Sequence, residues 1–171
     1  GQIAVRPVTS NDPEHTQGTP TVVEGSSITF DIKLGAPPVN SEAVSFTSPY
    51  AGTSFSPSSI TFTNDNYNTR QTVTLSVANN DLEEGTSTNS TVVWAAYGTT
   101  GTFAYIITDN DTAAITLSKT TTSVSEAGTT DTFTVVLTTD PATDVDISVI
   151  SADTGEATVS TSELAFTTNN W

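Results

Sequence analysis

Asp109 and Asp111 stand at alternate positions in the stretch Ile106-Ile-Thr-Asp-Asn-Asp-Thr112, directly before a fresh apolar run, Ala114-Ile-Thr-Leu117. Two carboxylates so spaced repel one another unless something positive sits between them, and flanking strands would hold them in place. Calcium is the natural partner for such oxygen ligands, because it takes six to eight oxygens at roughly 2.3–2.6 Å. A solvated acidic turn is the plainer alternative, and the same two readings apply to the acidic run Asn79-Asn-Asp-Leu-Glu-Glu-Gly85. Around these residues the signals for catalysis are weak. His15 is the single histidine and lies between Pro13 and Gly18, in a stretch that reads as a surface loop. No Gly-x-Ser-x-Gly elbow accompanies the many serines. Acid pairs of the kind used in glycoside hydrolysis occur only in turns tied to a repeat, so no enzyme activity is expected.

The elements that must position the acids follow from the composition. Nineteen Asp plus Glu against four Lys plus Arg give a formal net charge of −15, which excludes nucleic acid and anionic lipid surfaces and leaves cations as partners. Thr and Ser abound and long Ala/Leu/Glu/Lys runs are missing, so the chain is expected to be all-β. No apolar run approaches the ~20 residues of a membrane span, and the opening Gly1-Gln-Ile-Ala-Val-Arg6 is not a signal peptide. The absence of cysteine removes disulfides and thiolate metal sites without fixing a compartment.

Internal similarity sets the organisation. Ser27-Ile-Thr-Phe-Asp-Ile-Lys-Leu34 matches Thr130-Asp-Thr-Phe-Thr-Val-Val-Leu137, and Ser59-Ile-Thr-Phe-Thr-Asn64 matches Glu163-Leu-Ala-Phe-Thr-Thr168. Phe30 and Phe133 are 103 residues apart, Phe62 and Phe166 are 104, and Tyr67 and Trp171 are 104. Glu24 and Glu126 keep nearly the same spacing, 102. Period-2 alternation then predicts seven strands in the first repeat, near 3–8, 27–34, 43–47, 59–63, 71–78, 90–97 and 102–108. Turn chemistry separates them at Gly35-Ala-Pro-Pro38, Ser56-Pro57 and Gly98-Thr-Thr-Gly101, and the stretch 10–20 is an insertion that the second repeat lacks. Seven short strands in this span suggest an antiparallel sandwich of immunoglobulin-like size. Repeat 1 is expected over 1–111, with Phe30, Ile32, Phe62, Val73, Leu75 and Phe103 in its core, and repeat 2 over 112–171.

The second repeat offers no equivalent of residues 68–111, three strands' worth, which would leave Phe133, Val135, Leu137 and Ile147 partly bare. Completion by more chain or by strands from a neighbouring chain, building a head-to-tail filament, are both expected possibilities. Trp94, Tyr97, Tyr67 and Trp171 read as core or lid aromatics. Asn89-Ser-Thr91 and Asn110-Asp-Thr112 match the N-glycosylation pattern at Asn89 and Asn110.

Taken together, Val-Val-Glu-Gly25, Ile-Thr-Phe62 followed by Asn66-Tyr-Asn-Thr-Arg-Gln-Thr-Val-Thr-Leu75, the run Asn79–Gly85 and Thr-Asp-Asn-Asp111 resemble a Calx-beta domain. The second repeat is similar, through Glu126-Ala-Gly-Thr-Thr-Asp-Thr-Phe-Thr-Val135 and Asn-Asn-Trp171. The resemblance implies tandem immunoglobulin-like sandwiches, the second incomplete, in an extracellular or cell-surface protein such as a large adhesin, with calcium held by loops beside the linker. It implies Glu24, Asp81, Glu83, Glu84, Asp109 and Asp111 as ligands. One departure stands out: Ser48-Pro-Tyr-Ala-Gly52 carries no acid where the family often has one, whereas the second repeat has Asp153 in the matching loop. The function implied is a calcium-stiffened structural spacer or filament segment, the alternative being a carbohydrate- or protein-binding module.

Overall fold

In the computed structural model, the backbone of Ile3–Pro7 and residues 18–85 and 87–171 are described; His15 and most of the 10–20 insertion lie outside them. Among the described residues every regular element is a strand, and the chain divides into two compact units, Gly1–Asn80 with Glu84–Asn110, and Asp81–Glu83 with Asp111–Trp171.

The first unit is a β-sandwich of two sheets. One has the order β1-β3-β7-β5, from β1 (Ile3–Pro7), β3 (Ser27–Leu34), β7 (Gln71–Val77) and β5 (Thr53–Ser56). The other has the order β2-β9-β8-β4-β6, from β2 (Thr21–Val23), β9 (Thr99–Thr108), β8 (Thr88–Ala96), β4 (Glu42–Thr47) and β6 (Ser59–Phe62). The alternation read from the sequence is the cause. In β3, Phe30, Ile32 and Leu34 are buried while Thr29, Asp31 and Lys33 face away, and in β7 the buried set is Val73, Leu75 and Val77. These six side chains meet Val44, Phe46, Ile60, Phe62, Val92, Tyr105 and Ile107 from the other sheet in one core. Phe30 sits at its centre, edge-on to Phe46 at 5.4 Å and to Phe103 at 4.9 Å between ring centroids. Phe103 itself is half-buried, so it borders the core where full burial was expected.

Three features depart from the seven-strand antiparallel expectation. Two strands, β2 and β5, join the seven, and β2 runs parallel to β9. The turn between β8 and β9 is Tyr97-Gly98, with φ of 52° and 68°, a two-residue hairpin whose positive φ angles match the right-handed strand twist. Residues 99–101 therefore belong to β9, not to a turn, and Gly101 lies across from Trp94. A Cβ at Gly101 would come 2.1 Å from the indole, so the glycine makes room for the ring that closes this end of the core.

The second unit holds two separate two-stranded ribbons. β10 (Ile115–Leu117) pairs with β11 (Val135–Leu137), and β12 (Val145–Ser148) pairs with β13 (Glu163–Phe166). Both reproduce pairings of the first unit in register. Ile115↔Leu137 answers Ile3↔Leu34, and Val145↔Phe166 answers Glu42↔Phe62. The turns repeat as well. Asn66 Oδ1 accepts from the Thr63 amide (2.6 Å) and Asn66 Nδ2 donates to the Thr61 carbonyl (3.3 Å); Asn170 does the same to Thr167 (2.6 Å) and Ala165 (3.0 Å). Leu137 and Phe166 are buried, Val135 and Ile147 half-buried, and Phe133 exposed; Leu137 is thus covered where a bare side chain was expected.

Candidate metal centre

The site begins with the parallel pairing of β2 and β9. β2 and β9 lie abreast with Val23 beside Thr108, so the next residues of each strand, Glu24 and Asp109, emerge side by side. The Glu24 amide continues the ladder to the Thr108 carbonyl at 3.0 Å. A β-turn then reverses the chain, the Ser26 amide donating to the Val23 carbonyl at 3.0 Å, with Gly25 at φ 72° where an L side chain would be strained. The inward phase of β2, buried at Val22, carries on to Glu24, which is only 3% exposed. A carboxylate so buried is costly unless its oxygens are engaged. Glu24 Oε1 accepts from the Tyr50 hydroxyl at 2.8 Å and from Asn80 Nδ2 at 3.0 Å.

Asp111 follows Asp109 by two residues along the same exit segment, and both are half-buried. One carboxylate oxygen from each of Glu24, Asp109 and Asp111 lies within 4.8 Å of the others, an arrangement that could hold a metal ion. At that separation three ionised carboxylates repel by roughly 3–4 kcal/mol per pair at an effective dielectric near 20, a repulsion that a divalent cation reverses into attraction. The donor set is all oxygen, which suits a hard cation.

Glu84 stands at the rim. Its Oε2 accepts from the same Tyr50 hydroxyl at 2.8 Å, and its amide donates to Asp109 Oδ2 at 2.7 Å. The phenol is thus a clasp between two carboxylates. Desolvation on burial, followed by the hydrogen bonds to Glu24 and Glu84, pushes the Tyr50 pKa well above the ordinary tyrosine value, so the hydroxyl keeps its proton. A chain of amides backs the cluster: Asn110 Nδ2 donates to Asn79 Oδ1, and Asn79 Nδ2 to the Asn80 carbonyl, each at 2.8 Å.

Of the six expected ligands, the structure brings together Glu24, Asp109 and Asp111 and places Glu84 one phenol away. Asp81 and Glu83 do not join them. The Asp81 side chain is exposed and its carbonyl accepts from the Asp140 amide at 2.7 Å, while the Glu83 carboxylate accepts from the Ala113 amide; both contacts lie within the second unit. Neighbouring carboxylates in a short loop cannot all face one point, and the strands on either side of 79–85 decide which do. Tyr50 and Asn80 were missed. The repeat held the clue for the first, because the Tyr50 amide donates to Ser48 Oγ (3.2 Å) as the Asp153 amide does to Ser151 Oγ (3.3 Å), so the phenol takes the place of an acid one repeat on. Asn89 is exposed on β8, and Asn110 is exposed with its amide nitrogen engaged by Asn79. No family model matches the chain, and no curated protein matches it either.

Proposed function

We propose that the chain is a non-enzymatic structural repeat of an extracellular or cell-surface protein, a spacer or filament segment of Calx-beta-like type, stiffened by calcium at the exit of its first repeat. The observation that carries this reading is the acid cluster's position. Glu24 and Asp109 sit at the ends of paired strands, and Asp111 lies on the segment that runs on to β10, the first strand of a second unit built on the same register. In such a chain Glu24, Asp109 and Asp111 would each supply an oxygen, and the ion would supply the positive charge that lets three carboxylates stay ionised together. The Tyr50 clasp holds the Glu24 carboxylate in one orientation, while Asn80 fixes the same oxygen from the other loop. Holding an exit segment against the strand ends lowers its freedom, which is the use a spacer has for an ion at that point.

Scanning calorimetry of the intact chain tests this. Calcium at about 100 times its dissociation constant should add roughly 2.7 kcal/mol to the stability of the first unit. Glu24→Gln, tested beside Asp81→Asn, should remove most of that gain while Asp81→Asn leaves it in place. An unchanged melting curve for the parent chain at millimolar calcium would leave the acidic-turn reading alone standing.

A further inference from the structure

The two units differ in where their shared strands stop, and the difference has a pattern. In the first unit the register of β3 with β1 covers Phe30–Leu34, whereas its pairing with β7 covers Ser27–Ile32. The counterpart of β3 in the second unit should run from Thr130 to Leu137, yet only Val135–Leu137 is strand, and these three pair with β10. What has lost strand structure is 130–134, the counterpart of Ser27–Asp31, all of which pairs with β7 in the first unit and the last two of which pair with β1 as well. β4 and β12 behave alike. β4 reaches Thr47, and its last three residues pair with β8; β12 ends at Ser148, short of Val149 and Ile150, which correspond to Phe46 and Thr47.

Exposure follows the same line. Phe133 is 39% exposed where its counterpart Phe30 is 1% exposed, and residues 129–134 are exposed throughout. Propensity does not explain it, because Thr-Phe-Thr-Val-Val alternates as well as Thr-Phe-Asp-Ile. What differs is the neighbour, since an edge strand keeps its form only where a ladder partner takes its amides and carbonyls.

We propose that the free edges of β11 and β12 are acceptor edges for a polypeptide segment carrying counterparts of β7, β8 and β9. Its first strand adds antiparallel to residues 130–135, with apolar side chains at alternate positions, as Val73 and Leu75 have, to cover Phe133 and Val135. Its second adds antiparallel beyond Ser148, in the β8 register, and draws Val149 into strand. The partner is recognised by backbone hydrogen bonds and by period-2 apolar side chains, so an unstructured acidic or basic peptide does not serve. This inference is independent of the cation reading.

The test extends the full chain at Trp171 with a copy of its own residues 68–111, since the 104-residue spacing of Tyr67 and Trp171 puts the next counterpart there. Hydrogen exchange followed by mass spectrometry reads the amides of Asp131, Phe133 and Ile150 in parent and extended chains, since those of Thr132, Thr134 and Val149 already donate to Asp131 Oδ1, Ser118 Oγ and the Ser162 carbonyl. Exchange at these amides should slow by about tenfold or more in the extended chain, with exchange in β3 and β7 unchanged. An extension carrying Asp at the copied positions of Val73 and Leu75 should return exchange to the parent rate. Equal exchange in parent and extended chains, with the first unit intact, would overturn the proposal. Protection that rises with concentration in the parent alone would replace this occupant by a second copy of the chain, which also overturns it.

Discussion

The Tyr50 hydroxyl lies 2.8 Å from Glu24 Oε1 and 2.8 Å from Glu84 Oε2, so a single proton serves two carboxylates that approach from different loops. Because Glu24 is almost wholly buried, the loss of that donor is felt as a less well satisfied buried charge and not only as a lost hydrogen bond. Tyr50→Phe keeps the ring packed against the core and removes only the hydroxyl. It is expected to cost about 1.5–3 kcal/mol, read from urea unfolding of the first unit with Trp94 fluorescence as the probe. A cost near zero would show that Glu24 is held without the phenol, by Asn80 and its other neighbours.

Phe30 and Phe133 occupy equivalent places in the two repeats and should respond very differently to truncation. Phe30→Ala empties the centre of an aromatic cluster and is expected to cost about 3–5 kcal/mol, enough to unfold much of the population at 37 °C. Phe133→Ala removes a side chain that already meets water and should stay within about 1 kcal/mol of the parent. Equal effects in thermal melts would contradict the difference in packing.

Gly101→Ala places a methyl where the Trp94 indole now lies. The ring has to move, and overpacking of this kind costs typically about 1–3 kcal/mol. A shift of Trp94 emission, with little change in the far-ultraviolet β signature, is the expected result.

Asp131 supplies a pH handle on the second unit. The Lys119 ammonium, with the Thr122 hydroxyl and the Thr132 amide, holds its carboxyl well below the usual carboxylate range, and the contact ties together the two sides of the 118–134 excursion. Since the folded pKa lies below the unfolded value of roughly 3.9, the contribution is fully present above that pH and is lost as pH falls further. Carbon-detected NMR of the Asp131 carboxyl should show a depressed titration midpoint, and Lys119→Met should move it back up toward the ordinary value. A midpoint unchanged by Lys119→Met would exclude the ion pair as the cause.

The all-β class, the repeat spacing and seven of the first unit's nine strands were legible in the residues. Period-2 burial is a local property that each stretch such as Ser27–Leu34 declares by itself, and a repeat is visible whenever two stretches declare it in the same order. β2 and β5 were not legible. Thr21–Val23 is too short to show alternation and Thr53–Ser56 holds a single apolar residue, so each becomes a strand only beside its partner, β9 and β7 respectively. The Gly98–Gly101 turn was misplaced for a similar reason, since a glycine that opens a turn and one that makes room for Trp94 look identical in sequence.

Acidic character at Asp109 and Asp111 was determined by the sequence, as was the likeness of Glu24 to a partner far along the chain. Which acids converge was decided by tertiary structure alone. Glu24 meets Asp109 through a parallel ladder between residues more than eighty positions apart, and Tyr50 reaches both Glu24 and Glu84 from a third loop. The Glu83 carboxylate, with the same chemistry and nearly the same sequence position as that of Glu84, takes the Ala113 amide instead, and Asp81 is exposed, its main-chain carbonyl accepting from the Asp140 amide. Composition can supply carboxylates, but the distance between two of them is set by the strands that carry them, and that distance decides whether they form a site.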